Sequence, residues 1–417
     1  MTMHSATLAV NETLRARRAA GEKVLHLGFG EAGLPVPDQV GAVLAGAVGR
    51  NGYGSVAGSA EARLAAAGWF GRRDLPTGPE QVLFAPGSKA LLFALLAALP
   101  GDLVLPCPAW VSYAAQAAIV GKNVVNVPVP AEAGGVPDPA LLEQCLVDAR
   151  AAGARPGVLL LTVPDNPTGT VASVETVREV CAIAERHGLV VVSDEIYAEL
   201  THDGRPAPSA SSFLPERTVV TSGLSKSMAL GGWRIGFARV PENAWGEQLM
   251  GELIGVASEV WSSLAAPMQA AAAYVLQDPP EVLAHISDAR RLHATVARAV
   301  HDEFLHAGAA CRAPQAGFYL YPDFEPVRAE LAASGVTTGA QLASALLERH
   351  GVGVLAGEAF GDDPRGLRFR AATSLLYGES TRERWEALRS ADPLALPWIS
   401  SSLQHLRDAL GSLTERV

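Results

Sequence analysis

The 417-residue sequence predicts an α/β protein: a large domain with a mostly parallel mixed sheet between helices, and a smaller α+β domain beside it. Three observations carry this. Short continuous apolar runs recur through the first two thirds of the chain, where alternation would mark a half-exposed sheet. Segments of helical period separate several of them. After Pro279 the pattern changes to one long amphipathic helix followed by short strands and helices.

Taken in order, Ser5 to Gly21 reads as an N-terminal helix, and Leu27 to Pro37 as a turn-rich stretch holding Gly28, Gly30 and Gly33. The apolar runs are Gln81 to Ala85, Leu103 to Leu105, Val158 to Val163, Leu189 to Ser193, Thr218 to Ser222 and Ile235 to Val240. Lys89 to Leu99 and Ser173 to His187 have helical period between them. Beyond Pro279 the sequence suggests a helix Pro280 to Ala307 and a strand Gly317 to Tyr321. A helix Gly339 to His350, strands Val352 to Leu355 and Gly366 to Arg370, and a last helix Ser401 to Leu413 follow. The large domain is placed at 40–285, and the smaller one combines 1–39 with 286–417. A single core rarely grows to this length, so two domains are the expectation.

A formal net charge of -10 and a pI near 5.5 argue against a nucleic-acid surface or a basic membrane patch. Cys107, Cys145, Cys181 and Cys311 are far apart, which suits reduced thiols and offers no metal cage. Met1 to Val10 has no signal-peptide pattern, and the longest apolar run, Ala90 to Leu99, is too short for a bilayer. A cytoplasmic protein with no metal is expected.

The chemistry is concentrated around one lysine. Only Lys23, Lys89, Lys122 and Lys226 stand among 33 lysines and arginines. Lys226 lies in Ser225-Lys226-Ser-Met-Ala-Leu-Gly-Gly-Trp233-Arg234, between two apolar runs. A lysine amine can lose its proton and form a Schiff base, which arginine cannot. Asp194 ends the run Val191-Val-Ser-Asp194-Glu-Ile-Tyr197, and ligands of open α/β sheets bind beyond the carboxyl ends of strands. Asn166 sits in Val163-Pro-Asp-Asn166-Pro167-Thr-Gly169, a turn just past another run. Ala85-Pro-Gly87-Ser88-Lys89 joins a strand to a helix, leaving backbone amides free for an anion such as phosphate. A Schiff-base lysine, a buried acid and a phosphate cradle are a protein's share of pyridoxal phosphate chemistry.

In these motifs and their order the chain resembles the fold-type I pyridoxal-phosphate enzymes of the class I/II aminotransferase family, from about Leu27 to Ser374. The resemblance implies the aspartate aminotransferase-like fold, pyridoxal 5'-phosphate as cofactor, and ping-pong transfer of an amino group between an L-amino acid and a 2-oxo acid. It makes Lys226 the Schiff-base lysine and proton carrier, and Asp194 the partner of the pyridine nitrogen. Asn166 and Tyr197 then bond the ring's phenolic oxygen, and Trp110, in Pro106-Cys-Pro-Ala-Trp110-Val-Ser-Tyr113, stacks on the ring. Gly87, Ser88, Lys89 and Arg234 take the phosphate. Tyr53, in Gly52-Tyr53-Gly54, reaches the phosphate of a neighbouring subunit, which implies a homodimer with shared sites. Arg368, in Gly366-Leu-Arg368-Phe-Arg370, pairs with the substrate α-carboxylate, helped by Gly30 and Asn166. Arg370 follows at strand spacing and shares the face of Arg368, so the two can exchange roles. Phe318, Tyr319 and Tyr321 are read as core, and Glu195 as facing away from the ring.

The chain also departs from the pattern. Gly223 stands where many relatives carry a phosphate-binding serine, with Ser222 or Ser225 as substitutes. Gly30-Glu31-Ala32-Gly33 replaces the common Gly-Glu-Pro-Asp, and Leu375 to Ile399 is an extra stretch read as a surface helix packing on the small domain. The same framework supports lyases, γ-replacement or cyclising synthases, and decarboxylating or oxidative enzymes. A ligand-sensing regulator is disfavoured, because the 26 residues before the shared region are too few for a helix-turn-helix.

Overall fold

The computed structural model describes residues 6–130 and 134–414. A helix, Ala6–Ala19, leads to a short strand, β1 (Leu25–His26); Ser5, where the helix was expected to begin, lies outside the described residues. Runs of valine and leucine must be covered on both faces, and they pair into one seven-stranded sheet. Its strands are β2 (Val82–Pro86), β3 (Asp102–Cys107), β4 (Val124–Pro128), β5 (Pro156–Thr162), β6 (Val190–Asp194), β7 (Thr218–Gly223) and β8 (Ile235–Arg239). The order across the sheet is β2-β8-β7-β6-β5-β3-β4. All pairs from β7 to β4 are parallel, and β8 runs against both its neighbours. Only β4 has no counterpart among the apolar runs, because as a half-exposed edge strand it buries little. This topology lines up the carboxyl ends of β2, β3, β5, β6 and β7 with the amino end of β8 along one edge.

The helix Pro280–His306 links this sheet to the remaining elements. Val282 and Ile286 pack with Phe237 and Leu224, whereas Ala289, Leu292, Val296 and Phe304 pack in a separate cluster. The boundary expected near residue 285 therefore falls inside a continuous helix. Beyond it come β9 (Tyr319–Leu320), β10 (Val352–Gly353), β11 (Leu355–Ala356) and β12 (Phe369–Ala372). β12 pairs antiparallel with both β9 and β11, and β1 pairs in parallel with β10. That last pairing brings residues 28–31 of the N-terminal segment to the sheet edge. β12 begins three residues later than the sequence suggests, which leaves Arg368 ahead of the strand and Arg370 inside it. The stretch 375–399 includes a helix, Thr381–Arg389, that buries Ala387 and Leu388. Arg291 of the linking helix donates to the carbonyls of Leu388 and Ser390, both at 2.6 Å, so this stretch is a packing element. Among the described residues, no helix is long and apolar enough to cross a membrane, and no acidic, histidine or cysteine group could hold a metal ion.

Candidate active site

A cavity of about 530 Å3 opens along the shared sheet edge. Lys226 enters it from a one-turn helix, Leu224–Ser227, that follows β7 directly. Its Nζ donates to the Gly30 carbonyl at 2.5 Å and lies 5.8 Å from the centroid of the Tyr197 ring. Asp194, the last residue of β6, is 2% exposed. The Tyr113 hydroxyl donates to Asp194 Oδ2 at 2.8 Å, and Thr221 Oγ1 donates to Oδ1 at 3.3 Å. Burial pushes the Asp194 carboxyl up to about 6, against the lowering effect of those two bonds. No ion pair holds Asp194 among the described residues, so a cation arriving in the cavity would find a buried acceptor already oriented.

The end of the cavity at β2 is built for an anion. Ser88 opens the helix Ser88–Ala98, whose first-turn amides have no partner within the helix. Gly87 precedes it at φ +89°, and a side chain there would overlap the Arg234 guanidinium. Arg234 stands immediately before β8 in the left-handed region, φ +55°, which turns it back toward this helix end. Gly223 is explained by packing, since a Cβ there would lie 2.7 Å from the Ile235 carbonyl oxygen. Of the two substitute serines, Ser225 lines the cavity, and Ser222 is buried in β7. Trp110 lines the wall, 5.1 Å from the Tyr113 ring in an edge-on contact. The Lys89 ammonium also points in, 5.1 Å from the Trp110 ring, with no carboxylate paired to it among the described residues.

On the opposite side the structure corrects one expectation. Arg370, not Arg368, reaches the cavity. Arg370 is 1% exposed; its Nη1 donates to Asn166 Oδ1 at 3.1 Å and its Nη2 to the Gly28 carbonyl at 3.0 Å. Its Nε is buried without a partner, and it forms no ion pair among the described residues. Arg368 is held outside, with Nε and Nη2 donating to Asp362 at 2.7 and 2.8 Å and Nη1 to Asp323 at 3.1 Å. The reason is electrostatic. Both arginines share a face, but the one nearer the strand start meets two carboxylates before it can reach the cavity. Tyr53 is also outside the cavity of its own chain, at 98% exposure.

The aminotransferase class I and II family model matches residues 22–375. The chain belongs to that family. It is 32% identical over 382 residues to the aspartate/prephenate aminotransferase of Cereibacter sphaeroides, covering 89% of this chain and 92% of that one. It is 30% identical to the aspartate aminotransferase of Geobacillus stearothermophilus, covering 91% and 95%. The solved structure of the Thermus thermophilus aspartate aminotransferase with maleate superposes with a TM-score of 0.83, at 27% identity, over 98% of this chain and 97% of that one.

Of the residues expected in this aminotransferase's site, Gly30, Ser88, Lys89, Trp110, Asn166, Asp194, Tyr197, Lys226 and Arg234 line one cavity, and Gly87 borders it through Arg234. Three contributions were not foreseen. Tyr113 bonds Asp194; its signal was its spacing, one helical turn after Trp110. The Lys89 side chain enters the cavity, and the rarity of lysine that marked Lys226 marks it equally. Tyr319, expected in the core with Phe318, is buried yet lines the cavity and bonds Tyr197 at 2.9 Å. Phe318 is core, and Glu195 turns away to Ser193 and Ser209.

Proposed function

We propose that this aminotransferase holds pyridoxal 5'-phosphate in the cavity described and acts on a dicarboxylic amino acid and its 2-oxo counterpart. The observation that carries the cofactor is the convergence, in one cavity, of Lys226, a buried Asp194 without a cation, and the helix end guarded by Gly87 and Arg234. When bound, pyridoxal phosphate supplies an electron sink that acidifies the substrate Cα–H bond. The chain does the rest. First-turn amides from Ser88 and Lys89, with Arg234 and Ser225, would take the phosphate; Trp110 would cover the ring face; Asp194 would keep the ring nitrogen protonated. Asn166 and Tyr197 line the cavity and would face the phenolic oxygen. Lys226 Nζ would hold the cofactor until the donor's amino group displaced it, and the freed amine would then be placed to carry the Cα proton as general base and acid.

Arg370 takes the substrate α-carboxylate. A guanidinium that lines the cavity with no acid of its own among the described residues suits an incoming carboxylate, and its bond to Asn166 ties that event to the cofactor side. Lys89 takes the second carboxylate. Burial, then Arg234 and Lys226, lower its pKa, which describes a cation in a positive cavity without a counter-ion. Relatives named for aspartate, and a related enzyme solved with maleate, support a substrate of that class. Donor profiling with aspartate, alanine and phenylalanine against 2-oxoglutarate tests this. Aspartate should be preferred, and Lys89→Met should lower kcat/KM for aspartate about tenfold while leaving alanine unchanged; equal loss for both would refute the role of Lys89.

The exposed Tyr53 supports a homodimer in which it completes the partner's phosphate site. Four unpaired cysteines favour a cytoplasmic setting. We read 40–285 as the large domain and the remainder as the small one, meeting within the linking helix.

A further inference from the structure

The bonding around Tyr319 reaches beyond these roles. Its hydroxyl lies 2.9 Å from the Tyr197 hydroxyl and 3.5 Å from the Gly30 carbonyl oxygen. Gly30 allows the approach, because a Cβ there would overlap the Tyr319 hydroxyl. Each phenol has one proton to give. The bond to Tyr197 is the shorter of the two by a wide margin, so it is the better destination for the Tyr319 proton. The Arg370 guanidinium lies 4.8 Å from the Tyr319 ring centroid, and a cation at that position strengthens the phenol as a donor. Tyr197 also receives Asn166 Nδ2 at 3.4 Å. With two groups donating to its oxygen, Tyr197 has its own proton left for the cavity.

We infer that Tyr319 is a positioning residue that, by donating to Tyr197, directs the Tyr197 proton at the cofactor's phenolic oxygen. This rests on the pyridoxal phosphate reading above. A donor to that oxygen competes with the proton the bound cofactor shares, so a stronger Tyr197 donor lowers the cofactor's proton affinity and a weaker one raises it.

The test is a pH titration of the visible absorbance of the cofactor-loaded enzyme for wild type, Tyr197→Phe, Tyr319→Phe and the double variant. Each change removes only a hydroxyl. Tyr197→Phe should raise the proton affinity most, and Tyr319→Phe should raise it about threefold, the effect of one modest hydrogen bond. In the Tyr197→Phe background, Tyr319→Phe should add nothing. A Tyr319→Phe midpoint equal to wild type, while Tyr197→Phe moves it, would overturn this inference and leave the cofactor reading intact. Additive shifts would overturn it too, since Tyr319 would then act independently of Tyr197. Failure of the wild type to show a cofactor chromophore would overturn both.

Discussion

The two sides of the cavity are built on different principles. On the sheet side, Asp194 ends β6, Asn166, Lys226 and Ser88 come within four residues of the ends of β5, β7 and β2, and parallel topology brings those ends to one edge. On the facing side, Arg370, Tyr319 and Gly30 come from β12, β9 and the N-terminal segment, brought together only by the β1–β10 and β9–β12 pairings. There, position in a strand decides the face, and competition with nearby carboxylates decides which side chain arrives. Arg368 and Arg370 show the difference. They share a face two residues apart, and Asp362 and Asp323 capture the first.

On this contrast, variants at Lys226 and Asp194 on the sheet side should damage chemistry and cofactor retention, and variants at Arg370 on the facing side should damage substrate binding. The largest effect is expected for Lys226→Ala. Loss of the amine that carries the proton should lower kcat by about 10^3-fold or more, measured with the variant saturated in cofactor. Near-native turnover would break the sheet-side assignment. Asp194→Asn comes next, with kcat lower by about 100-fold at neutral pH, as a neutral partner no longer holds the ring nitrogen protonated. A weaker effect is expected in the pH dependence of cofactor binding to the cofactor-free protein. Asp194 is raised to about 6, so it is ionised above that value and increasingly protonated below it. Affinity should therefore fall as pH drops through about 6, and Asp194→Asn should keep only the part of the slope that belongs to the phosphate. Identical slopes would show that Asp194 does not face the cofactor. The smallest effect is expected for Arg368→Gln. Its side chain is 30% exposed in a surface ion-pair group, so kcat/KM should change about threefold or less.

Legibility in the sequence follows the same divide. Sheet-side residues occupy short motifs at strand ends and turns, so Asn166, Asp194 and Lys226 stand out in the sequence, while their individual roles and that of Arg234 came from the resemblance to the family's motifs. Tyr113 escaped because its partner, Asp194, is 81 residues away. Tyr319 escaped because a buried tyrosine beside Phe318 looks like core until the hydroxyl of Tyr197 is placed beside it. Arg370 was visible as a rival of Arg368, but spacing alone could not choose between them. The choice depends on Asp323, which lies 45 residues from Arg368, and on a strand that begins at Phe369. Helices and buried strands were read correctly in kind because their apolar period is local. The half-exposed β4 and the split of Val352 to Leu355 into β10 and β11 were not, since pairing rather than period defines them.

The central claim, that the facing side binds carboxylate through Arg370 and not through Arg368, is tested most directly by equilibrium binding. The dissociation constant of maleate, an unreactive dicarboxylate, should be measured for the cofactor-loaded wild type, Arg370→Gln and Arg368→Gln. Arg370→Gln should weaken binding by about 30-fold or more, as expected when one partner of a buried charge pair is removed, while Arg368→Gln stays within about threefold of wild type. The reverse order, with Arg368→Gln losing binding and Arg370→Gln retaining it, would contradict the account.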